Sequence, residues 1–93
     1  MLFIAKWTAL PTAEQAASER FRRTGGAPPD GIKVIGRWHA VGGVEGLAIC
    51  ECATIEPLAA WVLEWADLMS FDVKPGLTDE QLGVLLTAAA EKK

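Results

Sequence analysis

The two apolar runs with the least alternation, Leu2–Thr8 and Leu47–Ala53, each open a strand–helix–strand unit, and that repetition restricts the folds open to this chain. In the first unit Leu10-Pro11 ends the strand, and Thr12-x-x-Gln15 has the spacing of a capping box. Ala13, Ala17 and Phe21 follow at helical spacing. Thr24-Gly25-Gly26 then stops the helix, because glycine takes the left-handed cap conformation without a Cβ clash. Ala27-Pro28-Pro29-Asp30-Gly31 reads as a stiff turn into a second strand, Ile32–Val41. Gly42-Gly43 reads as a two-residue hairpin turn.

The second unit runs from the strand Leu47–Ala53 to a helix that Thr54 can cap and whose first turn accepts Pro57. Leu58, Trp61, Val62 and Trp65 fall at i, i+3, i+4 and i+7, a buried stripe. A short strand, Ser70–Lys74, closes at Pro75-Gly76. A last helix begins at a second capping box, Thr78-x-x-Gln81, with Leu77 and Leu82 placed as its hydrophobic staple. Asp79 and Glu80 suit its positive end, and Lys92 and Lys93 its negative end. Its apolar stripe is Leu82, Leu85, Leu86 and Ala89; it can dock in trans, but packing on its own chain is the simpler expectation. The order β-α-β-β-α-β plus a helix predicts an α+β, ferredoxin-like antiparallel sheet in the order 4-1-3-2, with helices on one face. At 93 residues the chain is one domain: a core over 1–76 and a C-terminal helix over 77–93.

Composition excludes several classes. Nine Lys and Arg against twelve Asp and Glu give a net charge of −3, which argues against a phosphate backbone as partner. Arg20, Arg22 and Arg23 form the one basic cluster, read as a solvated helix face. The longest uncharged stretch falls well short of the roughly 20 residues that span a bilayer, so no membrane partner is expected. No signal-peptide pattern precedes Lys6, and Cys50 and Cys52, one residue apart on a strand, make a poor disulfide pair; the expectation is a cytoplasmic protein with reduced thiols.

A two-residue hairpin turn sets Trp38 opposite Leu47 and Arg37 opposite Ala48. One sheet face then carries Ile32, Val34, Trp38, Leu47 and Ile49, and is assigned to the helices. The open face carries Lys33, Ile35, Arg37, His39, Ala48, Cys50 and Cys52, joined by Ile4, Lys6, Ser70 and Asp72. Glu51 resists this scheme, because it lands among the helices, where an unpaired carboxylate is costly. Either a cation such as Arg20 pairs with it, or a bulge turns it to the open face; the bulge is favoured.

The run Thr24-Gly25-Gly26-Ala27-Pro28-Pro29-Asp30-Gly31-Ile32-Lys33, followed by Gly36-Arg37-Trp38-His39, resembles domain-of-unknown-function family 3303, a family of small bacterial proteins. The resemblance extends over Trp7, Arg20-Phe21, Glu51, Trp61, Trp65, Asp67-Leu68, Phe71-Asp72-Val73 and Pro75, nearly the whole chain. It implies a dimeric α/β barrel in which two open sheet faces meet around a cavity. It implies no established activity, and the cysteines are not part of the motif. Barrels of this type include cofactor-free oxygenases, haem-binding enzymes, isomerases and effector-binding domains, an analogy at the level of fold.

The candidate chemistry is sparse. His39, the one histidine, is a potential general base with Asp72 or Glu51 as orienting carboxylate, weighed against a hydrogen-bonded structural histidine. Arg37 can hold a carboxylate bidentately or serve as a salt-bridge residue. Trp7, with Arg37, His39 and Glu51, completes the ligand-binding set; Trp61 and Trp65 are explained as helix packing and Trp38 as core. Two cysteines are too few ligands for zinc, so no metal or cofactor is expected. Three functions remain: a homodimeric module binding a small, partly apolar molecule; a cofactor-independent oxygenase- or isomerase-like enzyme using His39; and a purely structural or interaction protein.

Overall fold

The computed structural model describes residues 1–92. Its elements are β1 (Leu2–Ala9), α1 (Glu14–Thr24), β2 (Lys33–His39), β3 (Glu45–Glu51), α2 (Glu56–Trp65), β4 (Met69–Gly76) and α3 (Asp79–Glu91). The four strands form one antiparallel sheet in the order β2-β3-β1-β4, which reads 4-1-3-2 from the other edge. The two apolar runs that open the units are the two central strands. Pro75, expected to end β4, lies within it; β4 is an edge strand, where a residue without an N–H is tolerated.

Helices α1 and α2 cover one sheet face. Phe3, Ala48, Cys50, Cys52 and Leu58 form one buried cluster, with Trp7, Ile32, Val34, Trp61 and Val73 against it. Ala17, Trp65 and Met69 form a second, with Phe21, Leu68 and Phe71 packed around it. Size complementarity joins the layers: the central cross-strand pair is Ala5 and Ala48, both buried, beneath a helix layer that supplies Phe21, Trp61 and Trp65. Between the α1 and α2 ends, Arg20 makes a bidentate pair with Asp67 at 2.9 and 2.7 Å, donates to the Glu64 carbonyl at 3.0 Å, and lies 5.3 Å from the Trp65 ring centre. The guanidinium holds the Asp67 carboxyl below its ordinary range.

The expected register is present, with Arg37 opposite Ala48, Trp38 opposite Leu47 and His39 opposite Gly46. The faces are not as expected. A bulge between Val34 and Gly36 inserts Ile35, so β2 changes phase along its length. Val34 pairs with Cys50 on the helix side, as assigned, but beyond the bulge Arg37 and His39 share that side while Trp38 is turned away. On β3, Ala48 and Cys50 face the helices, and Leu47, Ile49 and Glu51 face away. The assignment for β3 and the second half of β2 is therefore inverted: it carried the phase of Val34 unbroken to Trp38. Glu51 is on the open face because all of β3 is in the other phase, and Arg20 is engaged with Asp67 instead of Glu51.

The helix ends also differ from expectation. Thr12 adopts φ +66° and α1 starts from Ala13 with no side-chain cap, so the first capping box does not form. At α2 the residue before the helix is Ile55, with no side-chain cap; the Thr54 hydroxyl bonds the Glu56 carboxylate and lowers its pKa. The second box is complete: Thr78 Oγ1 accepts from the Gln81 N–H at 3.2 Å, and Gln81 Oε1 accepts from the Thr78 N–H at 2.9 Å. At the other end the Lys92 N–H donates to the Ala89 and Ala90 carbonyls; Lys93 lies outside the described residues. The helix α3 does not pack on its own chain, and every one of its residues is exposed. It stretches the molecule to a radius of gyration of 15.8 Å, against about 12 Å for a compact chain of this length.

Gly46 is where the core tolerates no side chain. A Cβ there would collide with the Trp38 carbonyl oxygen and stand 2.7 Å from Cζ2 of Trp7. Gly46→Ala is expected to destabilise the fold by about 2 kcal/mol through overpacking, as a lower midpoint in urea denaturation.

Candidate functional site

The predicted site residues divide between the two sheet faces. Phe71, Trp7, Gly46 and His39 make one cross-strand row on the helix side, and Val73, Ala5, Ala48 and Arg37 the next. Asp72, Lys6, Leu47 and Trp38 make a row on the open side, as do Lys74, Ile4, Ile49 and Gly36. Glu51 is on the open side with Leu2 and Lys33. His39 is thus separated from both Asp72 and Glu51 by the thickness of the sheet, and among the described residues it forms no pair with either carboxylate. Asp72 has Lys74 at 3.4 Å on its own face.

On the helix side the motif residues join the sheet to α1. Gly25 takes φ +70° and Gly26 φ +59° at the end of α1. Their carbonyls turn toward β2, where Arg37 donates Nη1–H to the Gly26 oxygen at 2.7 Å and Nη2–H to the Gly25 oxygen at 3.1 Å. The guanidinium lies 5.1 Å from the Phe21 ring centre. His39 is edge-on to two rings, Phe21 at 5.1 Å and Trp7 at 5.9 Å between centroids. Arg37 therefore satisfies the orphan carbonyls of a helix terminus with a charge of favourable sign. In this structure both terminal nitrogens of its fork are occupied by backbone carbonyls.

Below this joint a cavity of about 60 Å³ lies between the helices and the sheet, lined by Trp7, Phe21, Trp61, Trp65 and Phe71 among others, with Arg37 its one charged residue. Cys50 and Cys52 are buried in the adjoining cluster, and burial raises both thiol pKa values. Among the described residues no group of three His, Cys, Asp or Glu side chains could hold a metal ion.

The open side has the character of a contact surface. Leu2, Ile4, Leu47 and Ile49 form its half-buried centre, uncovered by any helix of the chain. Trp38 is 59% exposed and lies over Gly36: a Cβ on Gly36 would stand 2.8 Å from Cζ3 of the indole. Around this centre stand Lys6, Lys33 and Lys74 with Glu45, Glu51 and Asp72, so the face carries balanced charge. Sequence reasoning placed Trp38 in the core and missed it as the exposed aromatic. The available signal was Gly36, a glycine two residues earlier in a strand interior, where a close-lying group replaces a side chain.

Two measurements check these roles. Arg37→Ala should lower stability by about 2 kcal/mol, the scale of charge-assisted hydrogen bonds, and Arg37→Lys should restore only part of it, since lysine lacks the fork; thermal and urea unfolding read both. A thiol-specific reagent at mildly alkaline pH should leave Cys50 and Cys52 unmodified in the folded protein and label both after denaturation.

No curated protein matches the chain significantly. Among solved structures it is similar to one described as "Structure of Rv0793 from Mycobacterium tuberculosis", with a TM-score of 0.48 and 15% identity over 84% of this chain and 95% of that one. The family model described as domain of unknown function (DUF3303) matches residues 1–90. With that match spanning nearly the whole sequence, the chain belongs to the DUF3303 family.

Proposed function

We propose that this protein is a homodimeric binding module of the dimeric α/β barrel type, which holds a small, partly apolar molecule between two facing sheets. The observation that carries this reading is the uncovered sheet face. A strand layer with Leu2, Ile4, Leu47 and Ile49 at its centre and an exposed Trp38 beside them is more apolar than solvent contact favours. A second copy offers the same surface, and the balance of three cations with three carboxylates lets two such faces approach without net repulsion.

The proposed ligand contacts follow the faces. Trp38 supplies a flat aromatic wall, and Lys6, Asp72 and Glu51 supply polar groups at its margin. Asp72 and Glu51 share this open face. Arg37, His39 and Trp7 are on the other side of the sheet, where they secure α1. An acid–base enzyme built on His39 and a carboxylate has no support within the chain, because the two lie on opposite faces.

Native mass spectrometry of gently purified protein tests the reading. Two chains carrying a small molecule are expected; two bare chains would remove the ligand from the proposal, and a lone chain at all concentrations would remove the dimer. Ile49→Glu, at the centre of the open face, should weaken self-association at least about 100-fold by placing two unpaired carboxylates in the interface, measured by sedimentation equilibrium with the fold intact by circular dichroism.

A further inference from the structure

We infer that α3 is an exchanged arm, which packs its leucine stripe along β2 of a second copy of this chain and covers Trp38 there. The inference rests on the homodimer reading and deepens it. Four observations carry it.

The first is the state of α3 itself. Its stripe of Leu82, Leu85, Leu86 and Ala89 is uncovered, with Leu85 55% and Leu86 60% exposed, although the helix has a complete capping box at its start. An isolated helix of 13 residues is marginal in water, and most helices gain their stability from a packed apolar face. A capped helix with an apolar stripe and no surface beneath it lacks that partner.

The second is a pair of exposed apolar residues on one edge strand. Besides Val41, Ile55 and Leu63, which stand elsewhere, Ile35 and Trp38 are both exposed, and both belong to β2. Because α3 leaves from the end of β4, the opposite edge of the sheet, it departs far from β2 of its own chain. The arm and this β2 pair therefore start from opposite edges of the sheet.

The third is symmetry. Two copies with open faces together are related by a two-fold axis lying between the sheets. When that axis runs along the strands, β4 of each copy lies over β2 of the other. The arm that leaves β4 then falls beside the partner's Ile35 and Trp38. One operation satisfies both surfaces on both copies, whereas an unrelated protein on either surface leaves the other bare.

The fourth is area. A sheet four strands wide and seven or eight residues long presents roughly 450 Å² in projection. A stable interface uses about 800 Å² of each partner. One side of a 13-residue helix adds about 200 Å² in the same projection, which enlarges the contact by nearly half. The arm also makes the proposed site incomplete in a single chain, since Trp38 gains its cover from the other copy.

The test compares the intact protein with Leu82→Glu/Leu86→Glu and with Ile49→Glu by sedimentation equilibrium, together with isotope-filtered NOE spectra of dimers mixed from labelled and unlabelled chains. Because no residue of α3 contributes to the core, the double variant keeps the fold, which circular dichroism confirms. The expected result is a dimer whose dissociation constant rises at least about 100-fold in the double variant, with NOEs between α3 leucine methyls and the indole of Trp38 across the two chains. If the intact protein is a dimer that Ile49→Glu dissociates while the double variant associates as tightly as the parent, and no NOEs cross between chains from α3, the arm is overturned and the dimer stands. A parent protein that stays monomeric overturns both.

Discussion

A single inserted residue in β2 determines how every later side chain of that strand is used. With Ile35 bulged out, the strand rotates by one phase between Val34 and Gly36. Val34 and Arg37 can then both reach the helix side, three positions apart, which an unbroken strand of period two cannot arrange. Arg37 thereby arrives under the end of α1, and Trp38 is turned to the opposite side over the one residue that leaves room for it. Gly36-Arg37-Trp38-His39 is thus an alternating tetrad: room, tether, open-face indole, and an imidazole set edge-on to Phe21 and Trp7. Its four residues serve the two faces of the sheet in turn.

The fold was legible because its signals are local and redundant. The stripe Leu58, Trp61, Val62, Trp65 specifies a helix by spacing alone, and the two least alternating runs identify the central strands. The faces were less legible, because a strand's polarity pattern reads the same in either phase until something breaks it. Trp38 and Leu47 look like core residues beside Val34, and only the bulge separates them. The Gly25-Gly26 stop was readable as a helix cap, but its connection to Arg37 is a tertiary contact, eleven residues apart for Gly26, that no local rule specifies. The first capping pattern failed for a related reason. Thr12 is held at positive φ by the turn after β1, and a hydroxyl in that conformation is not presented to the α1 N–H groups as a cap requires.

The candidate site moved with the faces. Histidine, arginine and tryptophan attract functional readings because of their chemistry, yet here Arg37, His39 and Trp7 are spent on packing a helix end against a sheet. The open face instead carries an aliphatic centre, one exposed indole and a balanced ring of charges. Such a surface favours shape and apolar contact over strong electrostatic selection.

The unequal fastening of α1 has a consequence for motion. Its C-terminal half is held by Arg20 to Asp67, by Arg37 through Gly25 and Gly26, and by the Thr24 hydroxyl, which donates to the Arg20 carbonyl at 2.8 Å. Its N-terminal turn has no side-chain cap, and Ala17 is the one buried residue of the helix. Local opening free energies follow such differences in contact and hydrogen bonding. The helix should therefore unravel from its front while its rear stays seated. Amide exchange along α1 would then form a gradient, fast near Gln15 and slow toward Phe21, set by the grip of the glycine turn on a strand across the sheet.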